Sequence, residues 1–467
     1  MSPIKTRFAP SPTGLIHIGN ARTALFSALL GDQFLLRIED TDLERSRPEF
    51  VDTLIEDLLW LGISWQEGPE NRQPTEAFFQ SQRASVYADY YHQLVTMQKA
   101  YPCYCTPTEL EVSRKVQLSS GKPPRYSGRC ADLNADQRQS LAGEGRAPTL
   151  RFRVPKGETI TFEDGVRGPQ RFQTDDIGDF IIQRADGTAA FFFCNALDDA
   201  LMGVSQVMRG EDHLANTPRQ IMILNALNLP VPAYAHSALI LGDDGAPLSK
   251  RNGSLSIQEL RQRGYFPIAV INLMARLGHH YESEELMELP ALKKGFALHH
   301  VGRSPARFDQ NHLNHWQSLA LRQVSDIGLD AWLQEETHVL VPKPQAALFR
   351  DVVRSNCQNP FEAHQWARLL FTEEAFEVDA ECKILADQAG EDFYRQALDA
   401  AASNPEDFAA FLSALKEASG AKGKALFMPL RAAFTGRHDG PELAQLYRLI
   451  EPSILNRRLA VYLSPSH

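Results

Sequence analysis

Apolar positions in the first hundred residues alternate between the spacing of strands and that of helices. Ile4 to Pro10 reads as a short strand that Gly14 breaks, and a helical pattern follows from about Ile18 to Leu30. Gln33 to Glu39 is a compact apolar run of strand length. Pro48 sits where a first helical turn would begin, and FVDTLIEDLLWLG carries helical periodicity that ends at Gly62, with Glu56 and Asp57 expected on its solvated face. This βαβα order predicts a parallel sheet covered by helices. From Tyr101 to about Phe180 the pattern changes to Gly- and Pro-rich text with short β-like runs such as TLRFRVP and ETITFEDGVRG, which reads as an inserted α+β module. Strands and helices resume at Ala189, where Phe191-Phe192-Phe193 is expected in an apolar strand. Beyond Ser256 nearly every pattern is helical (FEAHQWARLLF, DFAAFLSALKEAS), which predicts two helix bundles. There is no internal repeat and no low-complexity tract.

Length and composition narrow this picture. At roughly 150 residues per domain, 467 residues suggest about three domains. No stretch approaches the roughly 20 apolar residues that span a bilayer. The start, MSPIKTRFAPSPTG, lacks a basic segment followed by an apolar run, so a cytoplasmic protein with no membrane partner is expected. A formal net charge of -10 argues against non-specific coating of nucleic acid, while leaving room for a local basic face. Six cysteines in a long chain without a secretion signal do not suggest a disulfide framework. Cys194, Cys357 and Cys382 are expected in the core, and His279-His280 and His299-His300 at helix ends.

Two short segments carry candidate chemistry. In RFAPSPTGLIHIGN a strand ends, prolines and a glycine shape a loop, and a helix begins near His17. A helix N-terminus offers unpaired N–H groups and a partial positive charge, which suits a phosphate. Gly19 lacks a Cβ, so a nucleotide base can approach the backbone there. In PLSKRNG, Ser249, Lys250 and Arg251 follow a Gly-rich turn, and adjacent cations on a loop suit a triphosphate. Taken singly, the first also fits an ordinary capped helix start and the second a solvated basic turn.

Together, and with the text between them, these segments resemble the glutamyl-tRNA synthetase family of class I aminoacyl-tRNA synthetases. The matching blocks are RFAPSPTGLIHIGNARTALF, LLRIEDTDLERS, DDALMGVSQVMRGEDHLANTPRQI, LSKRNG, SPARFDQNHL and LFMPLRAAFTGRHDGPEL, in order over essentially the whole chain. The resemblance implies an α/β Rossmann-like catalytic core with an inserted α+β module, followed by all-α C-terminal domains. Its divisions are 1–100 and 189–245 for the two halves of the core, 101–188 for the insert, 246–325 for a helical stem-contact domain with the SKR loop, and 326–467 for an anticodon-binding region. It implies ATP-dependent activation of L-glutamate and its transfer to tRNA(Glu), with Mg²⁺ accompanying ATP, and a monomer. Arg7, Ser11, Glu39, Phe191, Asn195 and Arg209 would surround glutamate. His17, Gly19, Asn20, Asp212, Ser249, Lys250 and Arg251 would hold ATP, with His17 and Lys250 assisting the reaction.

Three departures from the family stand out. Pro247 replaces a common lysine, Asn252 replaces the histidine after SKR, and Phe191 replaces a tyrosine beside the substrate. Phe191 and Pro247 keep open a specialised relative that charges tRNA(Gln), alone or with tRNA(Glu). A non-catalytic tRNA-binding relative is disfavoured by the retained His17, Lys250, Arg7 and Arg209. A glutaminyl-tRNA synthetase is disfavoured by the helical C-terminal half, since that family ends in β-barrels.

The insert also carries Cys103-x-Cys105 and Tyr126-x-x-x-Cys130. Zinc favours four ligands in a tetrahedron, usually Cys or His. The spacing favours one Zn²⁺ over three reduced thiols, and the resemblance offers Tyr126, or alternatively Asp132, as fourth ligand.

Overall fold

The computed structural model describes residues 3–42, 44–70, 75–121, 123–242, 244–248, 255–373 and 376–463. The chain divides into two compact units, Met1–Leu260 with Val270–Gln310, and Arg261–Ala269 with Asn311–His467.

The first unit opens as its apolar spacing predicts. Strand β1 (Lys5–Phe8) leads to helix α1 (Ile18–Leu30), strand β2 (Gln33–Leu36) and helix α2 (Pro48–Trp60). β1 and β2 pair in parallel, with Arg7 opposite Leu35. The α1 face bearing Ile18, Ala21, Leu25 and Leu29 is buried, which is the reason this segment is a helix rather than a loop. On α2, Glu56 is exposed but Asp57 is buried, so the expectation of a solvated acidic pair holds for only one of the two.

Helix α3 (Ala84–Thr96) precedes the segment read as an insert, which contains β3 (Ala100–Cys103), α4 (Pro107–Ser119), α5 (Ala135–Gly143), β4 (Thr149–Phe152), β5 (Thr159–Asp164), β6 (Gly168–Gln173), α6 (Thr174–Ile177) and β7 (Phe180–Gln183). β3, β4 and β7 form an antiparallel sheet in that order. Helix α7 (Phe191–Leu201), strand β8 (Gln206–Gly210), helix α8 (Thr217–Ala226) and strand β9 (Ala233–Ser237) follow. β8 and β9 are parallel, and β5–β6 joins them in a four-stranded sheet ordered β6-β5-β9-β8. Ser205, just before β8, donates its backbone N–H to Lys5 at the start of β1, which sets the two parallel pairs side by side.

Phe191-Phe192-Phe193 is not a strand: it is the first turn of α7. Phe193 is fully buried and stacks on Tyr91, while Phe191 and Phe192 are half-buried. Phe193 through Asp199 are all buried, so this helix is packed on every side, and that tertiary burial overrides the β-propensity of the triple phenylalanine. His279 also departs from expectation. It is buried rather than at a helix end, with its ring stacked on Phe296 at 4.7 Å and its Nε2 accepting from the Ala297 N–H.

The second unit is helical. Leu321, Phe349, Val352, Trp366, Leu370, Tyr394, Phe411, Leu430, Phe434 and Leu446 pack in one continuous core. Cys194, Cys357 and Cys382 are buried as expected. Among the described residues no helix is long and apolar enough to cross a membrane.

Candidate active site

The carboxyl ends of β1 and β8 and the N-termini of α1 and α7 converge on a cavity of about 440 Å³. Arg7, Ser11, Glu39, Phe191, Asn195 and Arg209 line it, as do His17, Gly19, Asn20 and Asp212. Sequence reasoning named all ten. Ser249, Lys250 and Arg251 lie outside the described residues, as does Asn252; Pro247 lines the cavity.

A charged network runs beneath this cavity. The Arg7 Nε donates to both Asp199 oxygens at 3.2 and 3.3 Å. Arg37, fully buried, reaches Asp199 Oδ1 at 2.7 Å and Glu39 Oε1 at 3.1 Å. Glu39 Oε1 also accepts from the Asn195 amide at 2.5 Å, and Asn195 Oδ1 accepts from Gln220 at 2.7 Å. Gln220 Oε1 in turn accepts from Arg209 Nη2 at 2.7 Å. Arg209 Nε donates to His236 Nε2 at 3.0 Å, and His236 Nδ1 meets the Asp164 carboxylate. Arg7, Arg37 and Arg209 thus balance Asp199, Glu39 and Asp164, the condition under which buried charges are tolerable.

The electrostatics follow from this arrangement. Burial pushes the Asp199 carboxyl up, but Arg7 and Arg37 outweigh it and hold the group below the usual carboxylate range. Burial raises Glu39 despite Arg37 and Arg7. Burial lowers Arg209 to about 10, which leaves it charged at neutral pH. Arg209 Nη1 and Arg37 Nε are each buried without a hydrogen-bond partner. The hydrogen bonds of Glu39 fall on Oε1, leaving Oε2 without one among the described residues. An orphaned buried donor costs about 1–3 kcal/mol, more when charged.

Another wall of the cavity is built on the start of α1. His17 caps the helix: its Nδ1 accepts from the Gly19 N–H at 3.2 Å, so any ring proton sits on Nε2. A Cβ on Gly19 would come within 3.1 Å of the His17 ring, tighter than ordinary contact, so glycine lets the ring lie over the first turn. The first turn of α1 holds no acidic residue to repel an anion.

The segment read as an insert carries a second constellation. The sulfurs of Cys103, Cys105 and Cys130 all lie within 4.8 Å of one another, and Cys105 and Cys130 are 3.6 Å apart. Zn–S bonds of about 2.3 Å in a tetrahedron place sulfurs about 3.8 Å apart, so the spacing suits one ion. The Tyr126 hydroxyl lies 3.3 Å from Cys103 Sγ and 3.6 Å from Cys105 Sγ, and accepts from the Cys130 N–H at 3.0 Å. Asp132 is not in this group: its exposed carboxylate pairs with Arg153 at 3.4 Å. Beside the cluster lies a larger cavity of about 950 Å³ whose wall includes Arg114, Arg125, Arg129, Arg151 and Arg184, and which shares Phe191 with the first cavity.

Sequence reasoning missed Arg37, Asp199, Gln220, His236 and Asp164. A signal existed for two of them. Arg37 interrupts the apolar run LLRIE, and Asp198-Asp199 interrupts the apolar helix NALDDALM, where an uncompensated charge would be costly.

The comparisons with known proteins agree with this geometry. Residues 3–315 match the catalytic domain described as tRNA synthetases class I (E and Q), and residues 346–463 match an anticodon binding domain. A glutamate–tRNA ligase 1 of Methylococcus capsulatus is 64% identical over 462 residues, covering 99% of each chain. A glutamate–tRNA ligase 2 of Alkalilimnicola ehrlichii is 53% identical, covering 98% of this chain and 97% of the relative. A crystal structure of a glutamate tRNA ligase from Elizabethkingia meningosepticum in complex with its amino acid superposes with a TM-score of 0.84 at 26% identity, covering 98% of this chain and 99% of that one. A catalytic domain matched over two thirds of the chain, with full-length relatives on both sides of it, establishes that the chain belongs to the class I tRNA synthetases of the E and Q group.

Proposed function

We propose that this chain is a glutamate–tRNA ligase that activates L-glutamate with ATP and esterifies it onto tRNA(Glu). The observation that carries the reading is the pairing, in one cavity, of a buried guanidinium atom without a partner, Arg209 Nη1, with the carboxylate of Glu39. A dicarboxylic amino acid supplies what both lack: a carboxylate for Arg209 and Arg7, and an ammonium for Glu39. Glutamine is rejected because its neutral amide leaves the buried cation unpaired, a mismatch worth roughly 10⁴ or more in related sites.

Ser11, Asn195 and Phe191 shape the remainder of the glutamate subsite. His17, Gly19, Asn20 and Asp212 receive ATP at the start of α1, joined by Ser249, Lys250 and Arg251, whose roles rest on the sequence resemblance. The α-carboxylate of glutamate attacks the α-phosphate, forming the acyl-adenylate and releasing pyrophosphate. The terminal ribose hydroxyl of tRNA then attacks the acyl carbon and AMP leaves. The protein contributes position and charge rather than covalent chemistry: His17 Nε2–H and Lys250 offset charge on the phosphates, and Arg209 and Glu39 hold the substrate. Mg²⁺ enters with ATP as its counter-ion. Cys103, Cys105, Cys130 and Tyr126 would hold one zinc ion, which would tie the strand β3 to the loop before α5. The arginine-lined cavity beside it fits the phosphate backbone at the end of a tRNA, and the helical second unit, matching an anticodon binding domain, reads the other end.

Pyrophosphate exchange into ATP, with tRNA(Glu) present, tests the reading. Exchange that depends on L-glutamate and not on L-glutamine is expected. Exchange driven equally by glutamine, or none, overturns it.

A further inference from the structure

The guanidinium of Arg209 is held on three of its edges. Nη2 donates to Thr217 Oγ1 at 2.9 Å and to Gln220 Oε1 at 2.7 Å, and Nε donates to His236 Nε2 at 3.0 Å. The ring of Tyr234 lies under it, 5.3 Å from Cζ to the centroid, and stacks in turn on His236. These contacts fix the guanidinium plane and leave Nη1 buried without a partner, on a residue that lines the cavity.

The contact to His236 exists in only one tautomer. Arg209 has no lone pair to offer, so His236 Nε2 must be unprotonated to accept from it. What keeps the proton on Nδ1 is Asp164: its Oδ2 accepts from Nδ1, while its Oδ1 accepts from the backbone N–H groups of His236, Val166 and Arg167 at 3.1, 3.0 and 2.8 Å. Asp164 is therefore anchored by backbone donors and cannot turn away. The Thr217 hydroxyl accepts from Arg209 Nη2 and has two acceptors within reach of its proton, His236 Nε2 at 3.2 Å and the His213 carbonyl at 3.5 Å. His236 is fully buried, and burial together with Arg209 pushes its pKa down against the pull of Asp164, so the neutral ring is the form that faces the guanidinium.

We propose that Asp164 and His236 are positioning residues for amino-acid recognition: Asp164 selects the Nδ1–H tautomer of His236, and His236 Nε2 thereby sets the plane of Arg209 so that Nη1 meets the substrate carboxylate. The proposal deepens the glutamate reading and rests on it for the identity of the carboxylate. It also gives a function to β5, which lies in the segment read as an insert yet pairs with β9 at Asp164 and Tyr234. That single pairing brings Asp164 under the substrate site.

Two substitutions separate the halves of the relay. In His236→Asn the amide replaces Nδ1–H toward Asp164 but leaves no acceptor for Arg209. In His236→Gln the longer side chain restores an acceptor near the position of Nε2. The kinetics are measured on the full chain by glutamate-dependent pyrophosphate exchange with tRNA(Glu), after thermal melting has shown both variants folded. His236→Asn is expected to raise KM for glutamate about tenfold with kcat and KM for ATP within about twofold, because an ill-set Arg209 loses binding common to ground and transition states. His236→Gln is expected to recover most of that loss. An unchanged KM for glutamate in His236→Asn, an equal rise in KM for ATP, or no recovery in His236→Gln overturns the proposal. Nitrogen-15 spectra of histidine-labelled wild-type protein provide a readout independent of the reaction: His236 is expected with Nδ1 protonated and Nε2 bare, and the opposite tautomer overturns the relay. A wild-type chain that shows this tautomer but no glutamate-dependent exchange overturns the functional reading alone.

Discussion

Arg209 concentrates the energetic argument at the scale of single residues. It is buried, its other donors are satisfied within the protein, and one nitrogen, Nη1, has no partner. Replacing it with glutamine removes a charge-assisted hydrogen bond worth about 1.5–3 kcal/mol, so kcat/KM for glutamate should fall about 10- to 100-fold. The preference for glutamate over glutamine should narrow at the same time, because no buried cation remains to be left unpaired. Steady-state exchange with each amino acid checks both; a variant that loses activity on glutamate yet keeps full discrimination would show that Arg209 does not read the charge. Most of these cavity residues were legible in the sequence because they sit in long matched blocks. His236 was not, since a lone histidine in a strand-like run carries no sign of the Asp164 that lies 72 positions earlier. Phe191 was placed in the wrong element because three consecutive aromatics imitate a strand, and a helix buried on every side from Phe193 through Asp199 leaves no amphipathic period to correct that reading.

Elements, more than residues, decide the proposed nucleotide and zinc sites. α1 begins at Ile18 because His17 caps it, and Gly19 leaves room for that ring. Gly19→Ala should drive a methyl against the ring and displace it, raising KM for ATP several-fold with little loss of global stability; an unchanged KM for ATP would remove the argument that the ring position matters. In the insert, β3 presents Cys103 and the loop beyond α4 returns Tyr126 and Cys130 to it. Purified wild-type protein is expected to carry about one zinc per chain by elemental analysis, and the Cys103→Ser, Cys130→Ser double variant to carry none. Full metal content in the double variant would rule this site out. The Cys-x-Cys pair was visible in the sequence, but that the Tyr126 hydroxyl lies against the thiols while the Asp132 carboxylate is exposed beside Arg153 was not, because it depends on how the loop folds.

Across the whole molecule, the sequence separates an α/β half from a helical half, because strand-length apolar runs disappear beyond Ser256. It could not show that β5 and β6 share a sheet with β8 and β9, since a long-range parallel pairing leaves no local pattern. The first unit also carries a built-in pH response. His279 is held near 4, first by burial and then by the neighbouring His300, His280 and His299. An unfolded histidine titrates near 6.5, so between about pH 6.5 and 4 the unfolded chain takes up a proton that the folded chain refuses. The stability of this unit is therefore full above about pH 6.5 and falls as pH drops, by about 1–3 kcal/mol from this residue. Urea denaturation at pH 7.5 and pH 5 should show that loss, and His279→Gln should reduce it; an identical loss in the variant would assign it elsewhere. The central claim concerns what the two units do together, and charging of purified tRNA tests it most directly. With ATP, Mg²⁺ and radiolabelled amino acid, tRNA(Glu) should accept glutamate and not glutamine. Acceptance of glutamate by tRNA(Gln) alone would reassign the tRNA partner, and failure of both tRNAs to accept glutamate would contradict the account.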